Sequence, residues 1–151
     1  MDLFFDSSAL VKRYVRETGS AWVAATTDLS ANNNVFIADI STVEITAAIA
    51  RRTRAVSSAL INATFARLHH DLRDEYTIFE IDSAVLSEAQ VLARKHFLRG
   101  YDAVQLAVAA RFNTDQTFAG LPTITLVSAD DELLDAAQAE GLLVENPNNH
   151  P

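Results

Sequence analysis

The sequence predicts an α/β fold: a three-layer α/β/α sandwich around a central parallel sheet. Two observations predict it. Short apolar runs suited to buried strands alternate with longer stretches of helical periodicity. The junctions between them carry Ser, Asp, Asn or Gly, the residues that cap helices or turn the chain. At 151 residues, 49% of them apolar, the chain suits one domain with a full core.

Leu3-Phe4-Phe5 reads as a buried strand ending at Asp6, with a helix following from Ala9 to Val15. Gly19-Ser20 breaks the chain, and Ser20 can cap a second helix through Trp22, Val23 and Leu29. Asn32-Asn33-Asn34 is a turn and Val35-Phe36-Ile37 a second strand. Ser41 opens a helix to about Arg54, and Ser57 or Ser58 a longer one through Phe65 and Leu68, forming a helical hairpin. Tyr76 to Ile81, aromatic and β-branched, is a third strand. Asp82-Ser83 begins a helix through Phe97 that Gly100 interrupts, and Asp102 starts another, Ala103 to Phe112. Asn113 to Pro122 reads as a loop, Thr123 to Val127 as a fourth strand. Asp130 or Asp131 opens a helix that Gly141 stops, and Leu142-Leu143-Val144 makes a short fifth strand. Residues 1–145 then form the domain, and 146–151 a flexible tail.

Composition excludes several classes. With no cysteine there is neither a disulfide scaffold nor a Cys-ligated zinc site. No apolar run approaches a membrane span, and the N-terminus lacks a basic region and a signal-peptide core, so a cytoplasmic protein is expected. A net charge of −8 is a poor footprint for nucleic acid. The basic residues are grouped, however: Lys12, Arg13 and Arg16; Arg51, Arg52 and Arg54; Arg94, Lys95 and Arg99. Each group could meet phosphate or be plain solvated surface.

In parallel α/β sheets ligands collect outside the carboxyl ends of the strands. Asp6 follows the first strand directly, Asp130 follows the fourth, and Glu44 lies in the helix after the second. Asp102 opens a helix whose position the sequence leaves open. Each acid has a local explanation. Asp6, Asp102 and Asp130 can serve helix starts, and Ser41-Thr42-Val43-Glu44 fits a capping box. As a set they point further, because gathered carboxylates repel and hard divalent cations relieve the repulsion. Without nearby His or Cys, Mg²⁺ or Mn²⁺ is favoured over zinc. The mid-helix pair His69 and His70 points apart and reads as surface.

Four segments then carry a family resemblance: Phe4-Phe5-Asp6-Ser7-Ser8-Ala9-Leu10-Val11-Lys12, Ile40-Ser41-Thr42-Val43-Glu44, Leu98-Arg99-Gly100-Tyr101-Asp102-Ala103-Val104-Gln105-Leu106-Ala107, and Val127-Ser128-Ala129-Asp130 with Leu133-Leu134. In this order the chain resembles the PIN-domain ribonucleases, and among them the VapC-type toxins of toxin–antitoxin modules. It departs from that pattern in the loop Asn113–Pro122, longer than usual, and in Gln105, where many relatives carry His and to which no catalytic meaning attaches. Asp131, adjoining Asp130, leaves the fourth acid the least settled.

The resemblance implies Mg²⁺-dependent hydrolysis of RNA phosphodiester bonds, with Mn²⁺ as an alternative ion. Asp6, Asp102 and Asp130 would bind the metal, Glu44 would act as a ligand or through water, and Ser7 and Ser128 would orient a carboxylate or a water. It also implies a cognate antitoxin whose C-terminal segment lies near the active site, and a homodimer. RNA rather than DNA rests on the resemblance alone. The rival readings are another metal-dependent phosphohydrolase or DNA nuclease, and a degenerate or non-toxin PIN-like module that binds without cleaving.

Overall fold

A computed structural model describes residues 1–54 and 57–150. Five strands, β1 (Asp2–Phe5), β2 (Asn34–Ala38), β3 (Tyr76–Phe79), β4 (Thr125–Val127) and β5 (Leu143–Glu145), form one sheet in the order β3-β2-β1-β4-β5. Every pairing is parallel. The chain fills the sheet outward from β1 in one direction and then in the other, so the winding reverses between β1 and β4.

Side chains alternate across a strand, and this alternation divides the core into two layers. Leu3, Phe5, Val35, Ile37 and Val127 pack on one face with Leu10, Ile45, Ile49 and Leu68. These come from α1 (Ser7–Leu10), α3 (Asp39–Arg52) and α4 (Ser58–Asp74). Phe4, Ala38 and Leu126 face the opposite way, against Leu92, Leu106, Leu133 and Ala137. Those side chains lie on α5 (Ser83–His96), α6 (Gly100–Phe118) and α7 (Asp131–Ala139). Phe4 and Phe5 are both fully buried although adjacent, which only a sheet covered on both sides allows. Each contributes about 1.5–3 kcal/mol by leaving water. Phe36, Phe79 and Phe112 add an aromatic cluster, with Phe112 centred 4.5 Å from Phe36 and 4.8 Å from Phe79.

Local signals set most helix starts. Asp6, Ser57, Asp82 and Asp130 cap their helices by accepting backbone N–H groups. The first helix is shorter than the pattern suggests: α1 stops at Leu10 and passes into a 3-10 turn over Val11–Arg13. The helix α2 (Ser20–Thr26) follows.

Two expectations meet a different arrangement. The segment Asn113–Pro122 is not a long loop, because α6 runs on to Phe118. Its last turns are polar and mostly exposed, so no apolar periodicity marks them. Thr114 and Thr117 return hydrogen bonds to the helix backbone, Gln116 reaches Asp2, and Asn113 accepts the N–H of Ile124. The residues after 145 are held against the body. Pro147–Asn149 form a 3-10 turn, Asn148 accepts Lys12 Nζ at 2.9 Å, and His150 stacks on Trp22 with ring centres 4.7 Å apart. Gly19 lets this turn approach: at φ +83°, an added Cβ would stand 2.2 Å from the Pro147 carbonyl oxygen. Pro151, the end of the expected tail, lies outside the described residues. Among the described residues, no helix is long and apolar enough to cross a membrane.

Candidate active site

Asp6 and Ser128 stand at the carboxyl ends of β1 and β4, the adjacent strands where the winding reverses. Open α/β sheets place ligands at this crevice. Backbone pairing continues one step past β1, from Asp6 N–H to the Val127 carbonyl at 3.0 Å, and so fixes Asp6 beside Ser128.

Asp6 is 3% exposed and both its oxygens are engaged. Oδ1 accepts from Ser8 Oγ at 2.7 Å and from the Ala9 N–H at 3.0 Å. Oδ2 accepts from Ser128 Oγ at 3.1 Å. Burial nevertheless pushes the Asp6 carboxyl up to about 6: desolvation outweighs these hydrogen bonds, and the charge of Asp102 adds to it. Asp102, in the first turn of α6, is also raised, first by burial and then by Asp130, with Glu44 and Glu132 adding and Arg99 opposing. Charge thus links the candidate acids through Asp102: Asp130 and Glu44 raise it, and it in turn raises Asp6.

Their local settings differ. Asp130 caps α7, its Oδ1 accepting from Glu132 and Leu133 N–H at 2.9 and 3.2 Å. A helix cap and a candidate site acid thus coincide in one residue. Glu44 is not part of a capping box. The helix α3 begins at Asp39, which puts Ser41 inside it and Glu44 one turn on. The hydroxyl of Ser41 and Oε2 of Glu44 instead both accept from Gln105 Nε2, at 2.7 and 3.0 Å. Asp131 turns away and accepts from Asn146 Nδ2 at 2.8 Å.

Among the described residues it is Ser8, not Ser7, that donates to Asp6. Ser8 also accepts the Ala129 N–H at 2.9 Å, while Ser128 accepts the Asp130 N–H at 3.0 Å. The two serines thus tie β1 to the loop before α7. The pair Ser7-Ser8 was visible in the sequence; which of them turns back onto Asp6 depends on the tight turn of α1. Gln105 stood out only as a departure from the family pattern; its partners, 61 and 64 positions away, had no signal.

The basic groups separate as sharply. Lys12 is buried against Thr18 and Asn148, and Arg13 pairs with Asp71 and Glu75, so neither can meet phosphate. Arg51 and Arg52 are exposed and line a cavity of about 480 Å³ with Ser7, Ser8, Val43, Glu44 and Tyr101.

By distance alone another cation site exists. His70, Asp71 and Glu75 are the group, among the described residues, whose three ligand atoms lie within 4.8 Å of one another. Arg13 already donates to both carboxylates, at 2.8 and 3.0 Å, and Tyr14 also donates to Asp71. That charge is compensated. The acids at the sheet edge stand further apart, and Arg99 is the cation that offsets Asp102. An all-oxygen set with surplus negative charge fits a hard divalent cation.

A PIN-domain family model matches residues 3–139. The chain is 31% identical over 145 residues to ribonuclease VapC45 of Mycobacterium tuberculosis, covering 94% of this chain and 93% of that protein. Among solved structures, FitAcB from Neisseria gonorrhoeae superposes with a TM-score of 0.64 at 16% identity, over 99% of both chains. The M. tuberculosis toxin VapC20, described as cleaving the sarcin-ricin loop, superposes at 0.61 with 14% identity, over 93% of this chain and 96% of that one. The family match, the sequence identity and the superpositions agree: the chain belongs to the PIN-domain family and is related to the VapC-type ribonucleases of toxin–antitoxin systems.

Proposed function

We propose that this protein is a Mg²⁺-dependent endoribonuclease, the toxin of a toxin–antitoxin pair. The observation that supports it most is the gathering of Asp6, Glu44, Asp102 and Asp130 beside the β1–β4 reversal with little positive charge to balance them. Asp6, Asp102 and Asp130 would hold the cation, Mn²⁺ serving as well as Mg²⁺. Such an ion offsets charge on the scissile phosphate and acidifies a water for attack.

The protein's own part is orientation. Ser8 and the Ala9 N–H occupy Oδ1 of Asp6 and Ser128 takes one side of Oδ2, which leaves one acceptor site, on Oδ2. Asp130 spends Oδ1 on α7, and its Oδ2 would be the oxygen offered to the cation. Glu44 would act as a ligand or through water, and the hydrogen bonds of Ser128 and Ser8 to Asp6 support a part for them in orienting that carboxylate. Arg51, and Arg52 on release from its ion pair with Glu17, would meet the RNA backbone along the cavity beside Glu44. The same cavity, with its apolar wall of Val11, Ile40 and Ala48, would receive an antitoxin segment, and the active protein would be a homodimer in the cytoplasm.

Single-stranded RNA, duplex DNA and a small phosphoester, each incubated with Mg²⁺ and with chelator, test the reading. Cleavage of RNA alone, lost with chelator and in Asp6→Asn and Asp102→Asn variants of unchanged circular dichroism, is expected. Full activity in Asp102→Asn would refute the assignment. A protein that binds RNA but cuts nothing would favour a binding module instead.

A further inference from the structure

Gln105 is a polar side chain in a place with no local need of one. It lies on α6 between Ala103 and Leu106, 2% exposed, where the neighbouring positions bury apolar atoms. Its Nε2 spends two hydrogen bonds on Ser41 and Glu44. Its Oε1 is buried and has no hydrogen-bond partner among the described residues. A buried acceptor left without a donor costs about 1–3 kcal/mol. Turning the amide over would set Oε1 against the Glu44 carboxylate, acceptor to acceptor, so Glu44 dictates the orientation that leaves Oε1 stranded. Leu or Met would fill the space without that cost. A stability penalty retained beside a cleft points to a role there.

The place in the fold says what the role is. Gln105 follows Asp102 by three residues, so both project from the same side of α6. Glu44 comes from α3, and Gln105 is its one hydrogen-bond donor among the described side chains. One helix thus carries both an acid of the site and the group that holds another acid in place.

We infer that Gln105 is a positioning residue: it anchors Oε2 of Glu44, with Ser41 steadying the amide, and leaves Oε1 of Glu44 for the cleft. The inference rests on the reading of Glu44 as a member of the acid site.

Calorimetric titration of the full chain with Mn²⁺, alongside RNA cleavage and thermal melting, tests it. Groups that orient metal ligands typically contribute about 10–100-fold in affinity or activity. In Gln105→Leu, the melting temperature should hold or rise, while Mn²⁺ affinity and kcat each fall about tenfold and KM changes little. In Ser41→Ala, which loosens the amide without refilling the core, both should fall by a smaller factor. In a Glu44→Ala background, Gln105→Leu should weaken Mn²⁺ binding no further, because its target is gone. Wild-type Mn²⁺ affinity and cleavage in Gln105→Leu would overturn the inference while leaving the ribonuclease reading intact. So would a loss that persists undiminished in the Glu44→Ala background. A wild-type protein that neither binds Mn²⁺ nor cuts RNA would overturn both.

Discussion

Ser128 donates to Oδ2 of Asp6 at 3.1 Å, joining two residues 122 positions apart at the point where the winding of the parallel sheet reverses. The same hydroxyl accepts the Asp130 N–H, so one oxygen couples the first acid to the backbone of the fourth. Replacing Ser128 by Ala should lower RNA cleavage about 10–100-fold. It should also lower stability by about 1–3 kcal/mol, because the Asp130 N–H loses its acceptor. Cleavage rates and urea midpoints measured together would separate the two effects.

Asp6 makes stability depend on pH in a definite direction. The fold raises its carboxyl from 3.8 to about 6, so folding favours the protonated form. Its contribution is therefore fully present below about 4 and is lost as pH rises through about 6. In metal-free protein the cost at pH 7.5 is on the order of 3 kcal/mol. Asp6→Asn should accordingly stabilise the metal-free chain at pH 7.5 and do little at pH 4. Excess Mg²⁺ should raise the wild-type melting temperature at pH 7.5 and leave the variant unmoved. Equal pH dependence in the two proteins would contradict the burial argument.

Arg13 belongs to the core of the molecule, not to its solvated surface. Its side chain is 6% exposed and its partner Asp71 2%. Without Arg13 the buried Asp71 carboxylate would lose its compensating charge, so Arg13→Met should destabilise the fold by about 3–5 kcal/mol. The salt dependence of RNA binding, measured where the variant is still folded, should match wild type. Replacing the exposed pair Arg51 and Arg52 should reverse this pattern, with stability kept and the salt slope reduced.

Gly19 permits the chain after β5 to dock. Gly19→Ala places a methyl against the Pro147 carbonyl at a φ that L-residues avoid, and should cost about 1–3 kcal/mol in chemical denaturation. Faster hydrogen exchange at Asn148 and Asn149 should accompany the loss.

Particular residues show how far the sequence carried. Leu3-Phe4-Phe5 announced a strand buried on both faces, and Asp82 and Ser57 announced helix starts, because alternation and capping are matters of neighbours in the chain. The polar last turns of α6 were hidden, since propensity without apolar periodicity leaves no trace there. Ser41 to Glu44 misled for a related reason: the spacing of a capping box occurs here inside a helix, and only the start at Asp39 excludes it.

The sequence by itself determined the family, the order of strands and helices, and the four acids worth watching, because those rest on residue type and short spacing. The tertiary structure alone decided that Asp102 feels Glu44 and Asp130 and acts on Asp6, that Ser8 rather than Ser7 grips Asp6, that Arg13 is spent on Asp71, and that Gln105 reaches Glu44. Charge–charge repulsion and hydrogen bonds act over a few ångströms of space, and the sheet sets those distances between residues that the chain keeps far apart.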